Sequence, residues 1–394
     1  MDTNVQPLLT TSPSERAASL RALLDEHGPE MDRRREVTPE VVAALVQADL
    51  LRVLLPKSLG GQEAHLIEHC KAAEAIGYAD ASVGWFYNQS NVSAATASAA
   101  MDHAAAAAIF NGPHQGLAWG AQYGGSKAIR VEGGYRLTGT WGYGSGSRHT
   151  TWIGAHSAVQ NPDGTPHIRY GKPDVRTFLF LKAKAKVTDD WDVLGLRGTG
   201  SDTYSVEDLF IPDEHAPCRD AMEERRETGP LYTIISNLLY ATGFCGVAMG
   251  IGRRMLDTYA QLARGKQSRA AITSMANNHA VQKEIAQLEA KLSGARAFVH
   301  EAVTAAHAAA AEGRLEVDLR MRLRLATTHA MQESADVAYA CYRAAGTTAI
   351  LASAPFERRF RDSMSVSQHL QGMNAHLEMV GRHIIGADNV VQWV

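Results

Sequence analysis

Three regimes of hydrophobic patterning succeed one another along the chain. Behind Thr38-Pro39-Glu40, the apolar residues Val41, Val42, Leu45, Val46 and Leu50 recur at helical spacing, with Thr38 as the expected N-cap and Pro39 in the first turn. Pro56 and Gly60-Gly61 interrupt the pattern, a second helix runs through Glu68 to Ile76, and the alanine-rich stretch from Ala94 to Ile109 predicts a helix ending near Asn111-Gly112-Pro113. After Gly116 the period shortens. Runs rich in β-branched and aromatic residues, such as 128–131, 135–138, 151–153 and 177–181, alternate with glycines, and Glu132-Gly133-Gly134 predicts a hairpin turn. From about Leu231 the helical period returns in three segments of bundle length, Tyr240–Ala263, Asn278–Glu312 and Val317–Ala345, with Gly313 breaking one pair. The predicted organisation is α+β: a helical domain over 1–115, a small β domain over 116–220 and a helical domain over 221–394.

Composition narrows the function classes. A chain of 394 residues can hold two or three packed regions, and 21% charged with 45% apolar residues is a folded rather than a disordered profile. The formal net charge of −3 offers no attraction to nucleic acid or to an anionic membrane, so neither is expected as a partner. Ile234–Gly252 is uncharged and approaches the roughly 20 residues of a bilayer span. Its Ser236, Asn237, Thr242 and several glycines favour a helix buried inside a bundle. Cys70, Cys218, Cys245 and Cys341 form no CxxC pair, so no zinc site, other metal site or disulfide framework is expected. Residues 1–16 lack a basic-then-apolar signal pattern, which makes a reducing cytoplasm the expected compartment.

Four blocks, in order, resemble the acyl-CoA dehydrogenase superfamily. Leu54–Gly61 resembles its P-x-x-x-G-G turn, and Glu74–Gly84 the helix that follows. Trp191–Ser201 resembles the G-x-R-G-[ST] block leading into the last strand, which ends here at Phe210-Ile211-Pro212, and Arg361–Gly372 resembles the catalytic segment. The resemblance spans nearly the whole chain. It implies an N-terminal helical domain, a central β barrel or sandwich and a C-terminal four-helix bundle, assembled as a homotetramer. The chain departs from the dehydrogenases in two places: His369, Leu370 and Gln371 stand where their glutamate base belongs, and Ala118–Ser126 replaces their T-E-P-x-A-G-S-D loop.

Within the superfamily, Gly134–Gly146 and Asp80–Trp85 resemble the two-component flavin-dependent monooxygenases, which include aromatic hydroxylases, sulfur oxygenases and amino-sugar N-oxygenases. That resemblance implies a small, aromatic substrate of a degradative pathway, hydroxylated with O2 and with reduced flavin (FADH2 or FMNH2) from a separate NAD(P)H:flavin reductase, through a C4a-hydroperoxyflavin. Thioester oxidation, N- or S-oxygenation, and a homologue that binds flavin without turnover are the alternatives.

His369 is the implied partner of the hydroperoxide, since a neutral imidazole can hydrogen-bond oxygen or accept a substrate proton near neutral pH. His376 and His383 follow at seven-residue steps, about 10.5 Å apart along a helix, too far to share a metal. Ser145, with Ser147 as alternate, is the implied partner of flavin N5, and the glycines at 142, 144 and 146 would let the backbone approach the ring. Trp141 is placed over one flavin face or in the β core. Arg264 or Arg269 is implied at the flavin phosphate of a neighbouring subunit, while Arg197 is expected to fix the turn before the last strand. Tyr87, Asn88, His114 and His149 lie in blocks that face the flavin cavity in relatives and are the candidate substrate contacts.

Overall fold

The computed structural model of the protein describes residues 11–112, 116–122, 124–267 and 272–387. The chain opens with α1 (Pro13–Ser19), α2 (Arg21–Arg34), α3 (Pro39–Gln47), α4 (Leu66–Ala79), α5 (Ala81–Ser98) and α6 (His103–Phe110). Ser12 starts α1 through a capping box with Glu15. Thr38 occupies the expected N-cap position of α3, but its hydroxyl pairs with His27 Nδ1 at 3.1 Å instead of capping the backbone. The alanine-rich run predicted as one helix is two, because Asp102 caps a new start by accepting from the Ala104 N–H.

The strands are β1 (Leu117–Trp119), β2 (Ala121–Gln122), β3 (Lys127–Val131), β4 (Gly134–Gly142), β5 (Trp152–Gln160), β6 (Ile168–Arg169), β7 (Lys172–Pro173), β8 (Val175–Leu181), β9 (Lys186–Thr188) and β10 (Thr203–Pro212). Eight of them form one sheet in the order β1-β5-β3-β4-β10-β9, with β2 also on β4 and β8 on β5, while β6 and β7 make a separate hairpin. The predicted β3–β4 hairpin is present with Val131 opposite Gly134, and Gly133 supplies the positive φ of 72° that its two-residue turn needs. One side of this sheet buries Trp141, Tyr204, Phe178, Leu137 and Ile153 in a core of its own.

The second half is helical: α7 (Pro230–Thr233), α8 (Ser236–Gly265), α9 (His279–Ala311), α10 (Val317–Ala345), α11 (Glu357–Ser367) and α12 (Asn374–Ile384). The uncharged segment flagged in the sequence is the first half of α8, where nearly every residue is buried against α4, α5 and α10. Among the described residues no helix is long and apolar enough to cross a membrane. The helices before and after the sheet share a single hydrophobic core, with α8 at its centre. Ion pairs fasten the same junction: Arg358 of α11 pairs with Asp80 at the start of α5, and Arg361 with Asp32 of α2 at 2.9 Å.

Candidate active site

A cavity of about 850 Å³ opens where α5, the sheet, α8 and α11 meet. Its walls are chiefly apolar and aromatic, and no Asp or Glu among the described residues lines it. Trp85 and Gln89 reach it from successive turns of one face of α5, and Tyr240 and Phe244 do the same from α8.

His369 enters from the turn that follows α11. It caps that turn, its Nδ1 accepting the Gln371 N–H at 3.3 Å. The ring sits edge-on to Trp85 at 4.9 Å and against Phe244 at 4.6 Å. Burial among these rings, with the positive Arg324 and neighbouring His376 adding to it, pushes its pKa down to about 3. The ring is therefore neutral, and with Nδ1 accepting, its single proton is on Nε2. Gln371 is itself held from below: the fully buried Arg324 of α10 donates to its Oε1, and Thr328 donates to its carbonyl at 3.2 Å.

Ser145 lies in the loop after β4 and receives the Trp85 indole N–H at 3.2 Å. A string of hydroxyls continues behind it: Ser145 to Ser201 at 2.8 Å, Ser201 to Thr199 at 2.6 Å, and Thr199 to the Leu196 carbonyl at 2.8 Å. The last bond sets the direction of the others. Thr199 has spent its proton on a carbonyl, so Ser201 donates to Thr199 and Ser145 donates to Ser201. Ser145 thus meets the cavity as an acceptor.

The remaining wall is the Trp191–Leu196 loop, clamped onto α11. Buried Asp362 accepts the Leu196 N–H at 2.7 Å, Arg361 donates to the Leu194 carbonyl at 2.9 Å, and Arg197 grips the Val193 carbonyl at 2.9 Å. Burial raises the Asp362 pKa to about 7, partly opposed by Arg358. Leu196 and Tyr143, both on the cavity wall, have φ of 56° and 61°, left-handed values that cost non-glycine residues free energy and gather at functional sites. At the far end His156, Arg219 and Trp119 meet, with Arg219 Nη1 donating to His156 Nε2 at 3.1 Å.

The structure separates the sequence-predicted residues into three groups. His369 and Ser145 line the cavity together. Trp141 does not: it is fully buried in the β core, stacked on Tyr204 at 5.9 Å and donating to the His156 carbonyl. Ser147 and His149 lie behind the wall, and Tyr87 and Asn88 belong to a buried triad, bonded to His69 at 3.0 and 2.9 Å. Their side chains point away from the cavity because α5 is buried on all sides, and only the Trp85 and Gln89 face looks inward. Arg264 is exposed in the last turn of α8, away from the cavity, while His114 and Arg269 lie outside the described residues. His376 and His383 do not line the cavity; they bond the Leu370 carbonyl and Asp318.

Sequence reasoning missed Trp85, Gln89, Tyr240, Phe244 and Arg219. The four-residue spacing of each α5 and α8 pair was the available signal, but aromatic pairs at that spacing read equally as core. Arg219 stands in an irregular segment with no period at all. Chemically, the arrangement offers flat aromatic walls, a directed hydroxyl acceptor and a neutral imidazole donor, which suits a planar heterocycle carrying polar edges.

Comparison with known proteins points the same way. Residues 15–108 match the model of the acyl-CoA dehydrogenase N-terminal domain, and residues 242–374 that of the C-terminal domain. The chain is 31% identical to an indole-3-acetate monooxygenase of Pseudomonas putida over 346 residues, covering 86% of this chain and 85% of that protein. It is 27% identical to the oxygenase component of an FADH2-dependent resorcinol hydroxylase of a Rhizobium species, covering 95% and 94%. In fold it matches the crystal structure of 3-HSA hydroxylase from Rhodococcus sp. RHA1 with a TM-score of 0.89 at 23% identity, over 98% of this chain and 99% of that one.

Proposed function

Because the chain belongs to the acyl-CoA dehydrogenase superfamily and, within it, to the flavin-dependent monooxygenases, we propose that it hydroxylates a small aromatic substrate, using O2 and reduced flavin delivered by a separate reductase. The observation that carries this reading is the cavity's chemistry: a neutral imidazole donor and a hydroxyl acceptor, with no carboxylate among the described lining residues. Thioester dehydrogenation needs a base to take the α-proton, and Glu378, the nearest carboxylate in sequence after His369, is exposed on α12 and absent from the wall. Oxygenation of an aromatic ring needs no such base.

The residues fit a bound flavin. The cavity volume lies within the usual range for ligand sites of about 300–1,000 Å³, and its aromatic walls match a planar ring. When bound, reduced flavin supplies the electrons that activate O2. Ser145, an acceptor by the direction of its hydroxyl string, would take the N5–H of the reduced ring. The oxidised ring has no such proton, so the same geometry favours the reduced form. The His369 Nε2–H would donate to oxygen at the reaction centre, and at a pKa of about 3 the ring does this as a neutral group across the physiological range. Trp85 and Phe244 hold His369 in place and exclude water from its side of the cavity.

The test is turnover with an NADH:flavin reductase, flavin, isotope-labelled O2 and a panel of phenols and indoles. Incorporation of one labelled oxygen atom into product is expected. Bleaching of bound oxidised flavin by octanoyl-CoA without oxygen, with no oxygenated product from the panel, would overturn the reading in favour of dehydrogenation.

A further inference from the structure

One end of the cavity is built unlike the rest. Among the described lining residues, Arg219 is the only side chain that carries a full charge at neutral pH. It lies over the Trp119 ring at 5.6 Å, on a wall that Gln89 and the Tyr240 hydroxyl share, these two 3.5 Å apart. Its partner inside the cavity leaves its charge intact. Arginine has no acceptor, so the 3.1 Å contact requires a bare His156 Nε2, and the His156 proton is on Nδ1, donated to Thr177 at 2.8 Å. Outside the wall, Arg219 Nε pairs with Asp220 at 3.1 Å, while Arg225 donates to the Arg219 carbonyl. Asp220 also accepts from the Ser236 hydroxyl at 2.7 Å, and its charge acts on the buried Arg225 as well as on Arg219. One carboxylate therefore stands beside two guanidiniums, and a positive charge is left over near the cavity.

A row of rings joins this end to the imidazole. His369 meets Phe244 at 4.6 Å, and Phe244 stacks on Tyr240 at 5.8 Å, one helical turn nearer Arg219. The row is apolar along its length and cationic at one end. That pattern is complementary to a flat molecule with an anionic tail, since a guanidinium on an apolar wall is satisfied best by a carboxylate.

We propose that Arg219 anchors a substrate carboxylate, so that the molecule oxygenated is a small aromatic acid whose ring lies along Phe244 and Trp85 towards His369. This rests on the monooxygenase reading for the fate of the ring, but not for the binding itself. A flavin phosphate is the other anion the site has to be weighed against. One guanidinium flanked by Trp119 and Tyr240 offers a phosphate dianion too few donors, and it matches the single charge of a carboxylate.

The experiment measures binding without turnover. Affinities of indole-3-acetate, phenylacetate and 4-hydroxyphenylacetate, each paired with its neutral amide, are determined anaerobically on the reduced-flavin complex of the wild type, Arg219→Gln and Arg219→Lys. In the wild type at least one acid should bind about tenfold to a hundredfold tighter than its amide. Acid and amide should bind alike to Arg219→Gln, and Arg219→Lys should keep part of the preference. Reduced-flavin affinity and melting temperature, measured on the same proteins, should be unchanged. If no acid is preferred by the wild type, or the preference survives in Arg219→Gln, the proposal is wrong. It is equally wrong if Arg219→Gln weakens flavin and not the acids, because the cation then serves the phosphate. Tight acid binding without labelled oxygen in any product would instead overturn the monooxygenase reading and leave the anchor standing.

Discussion

Gly195→Ala tests how the cavity wall is held. A Cβ built on Gly195 falls 2.2 Å from the Arg361 carbonyl oxygen, 2.3 Å from its carbon and 2.6 Å from the Asp362 nitrogen. All three are backbone atoms inside α11 and cannot swing aside, so the loop must retreat by roughly 1 Å to reach an ordinary contact. That retreat stretches the two bonds that cross the gap, Leu196 N–H to Asp362 at 2.7 Å and Arg361 to the Leu194 carbonyl at 2.9 Å. Overpacking costs about 1–3 kcal/mol, and weakening a hydrogen bond to a buried charged group about 1.5–3 kcal/mol. Together they predict a loss of about 2.5–6 kcal/mol, or about 3–7 °C in melting temperature for a chain of this length melting as one unit. Because Val193, Leu194 and Leu196 line the cavity, reduced-flavin affinity should fall in the same variant. Gly294→Ala is the control: no atom lies within 4 Å of its Cβ in the middle of α9, so it should be stabilising by up to about 1 kcal/mol. Calorimetry and flavin titration of both variants are the assays. A Gly195→Ala protein that melts within about 1 °C of the wild type and binds flavin equally well would refute the clamp.

His369→Ala should keep flavin binding but lose product by about tenfold to a hundredfold, with hydrogen peroxide rising to account for the NADH consumed; peroxide and product assays with an unchanged product yield would remove His369 from the mechanism. Its folded pKa of about 3 lies below the 6.5 of a free imidazole, so between those values the unfolded chain binds more protons and stability falls as pH drops. Buried Asp362, raised to about 7, contributes with the opposite sign over the same range, so the readout is the difference between proteins. On going from pH 7 to 5, His369→Gln should lose less stability, or gain more, than the wild type in melting curves, and product yield should show no His369 inflection near pH 6.5. Ser145→Ala strips the Trp85 indole N–H of its acceptor and removes the hydroxyl from the cavity. Reduced-flavin affinity should fall about tenfold while oxidised-flavin affinity changes little, and an equal loss for both redox states would refute the directed-acceptor argument.

Legibility differed sharply between fold and site. Helices α3, α4, α8, α9 and α10 stood where periodicity placed them, because burying one apolar face dictates a spacing visible along the chain. The α5–α6 break was missed because alanines continue through it and only Asp102 marks the new cap. His369 and Ser145, chosen through blocks that resemble a family, both line the cavity. Tyr87 and Asn88, chosen as substrate contacts in the same way, are core residues, and of the two places expected for Trp141 the structure shows the β core. A block places a segment near the site, but the helix phase or strand face decides which side chains enter it.

What the sequence determined by itself is the order of helix, sheet and helix, the burial of the uncharged Ile234–Gly252 segment, and the absence of the dehydrogenase carboxylate from the Arg361–Gly372 block. Those are local or compositional properties, written in spacing and residue type. Only the tertiary structure decided that His369 is a neutral Nε2–H donor, that Ser145 faces the cavity as an acceptor, and that Arg219 brings a positive charge to an apolar wall. Each of those depends on partners far away in sequence. Phe244 and Trp85 desolvate His369, Thr199 and Ser201 orient the Ser145 hydroxyl, and His156 accepts from Arg219 without cancelling its charge. Protonation and hydrogen-bond direction are set by the surroundings of a group, and those surroundings exist only once the chain has folded.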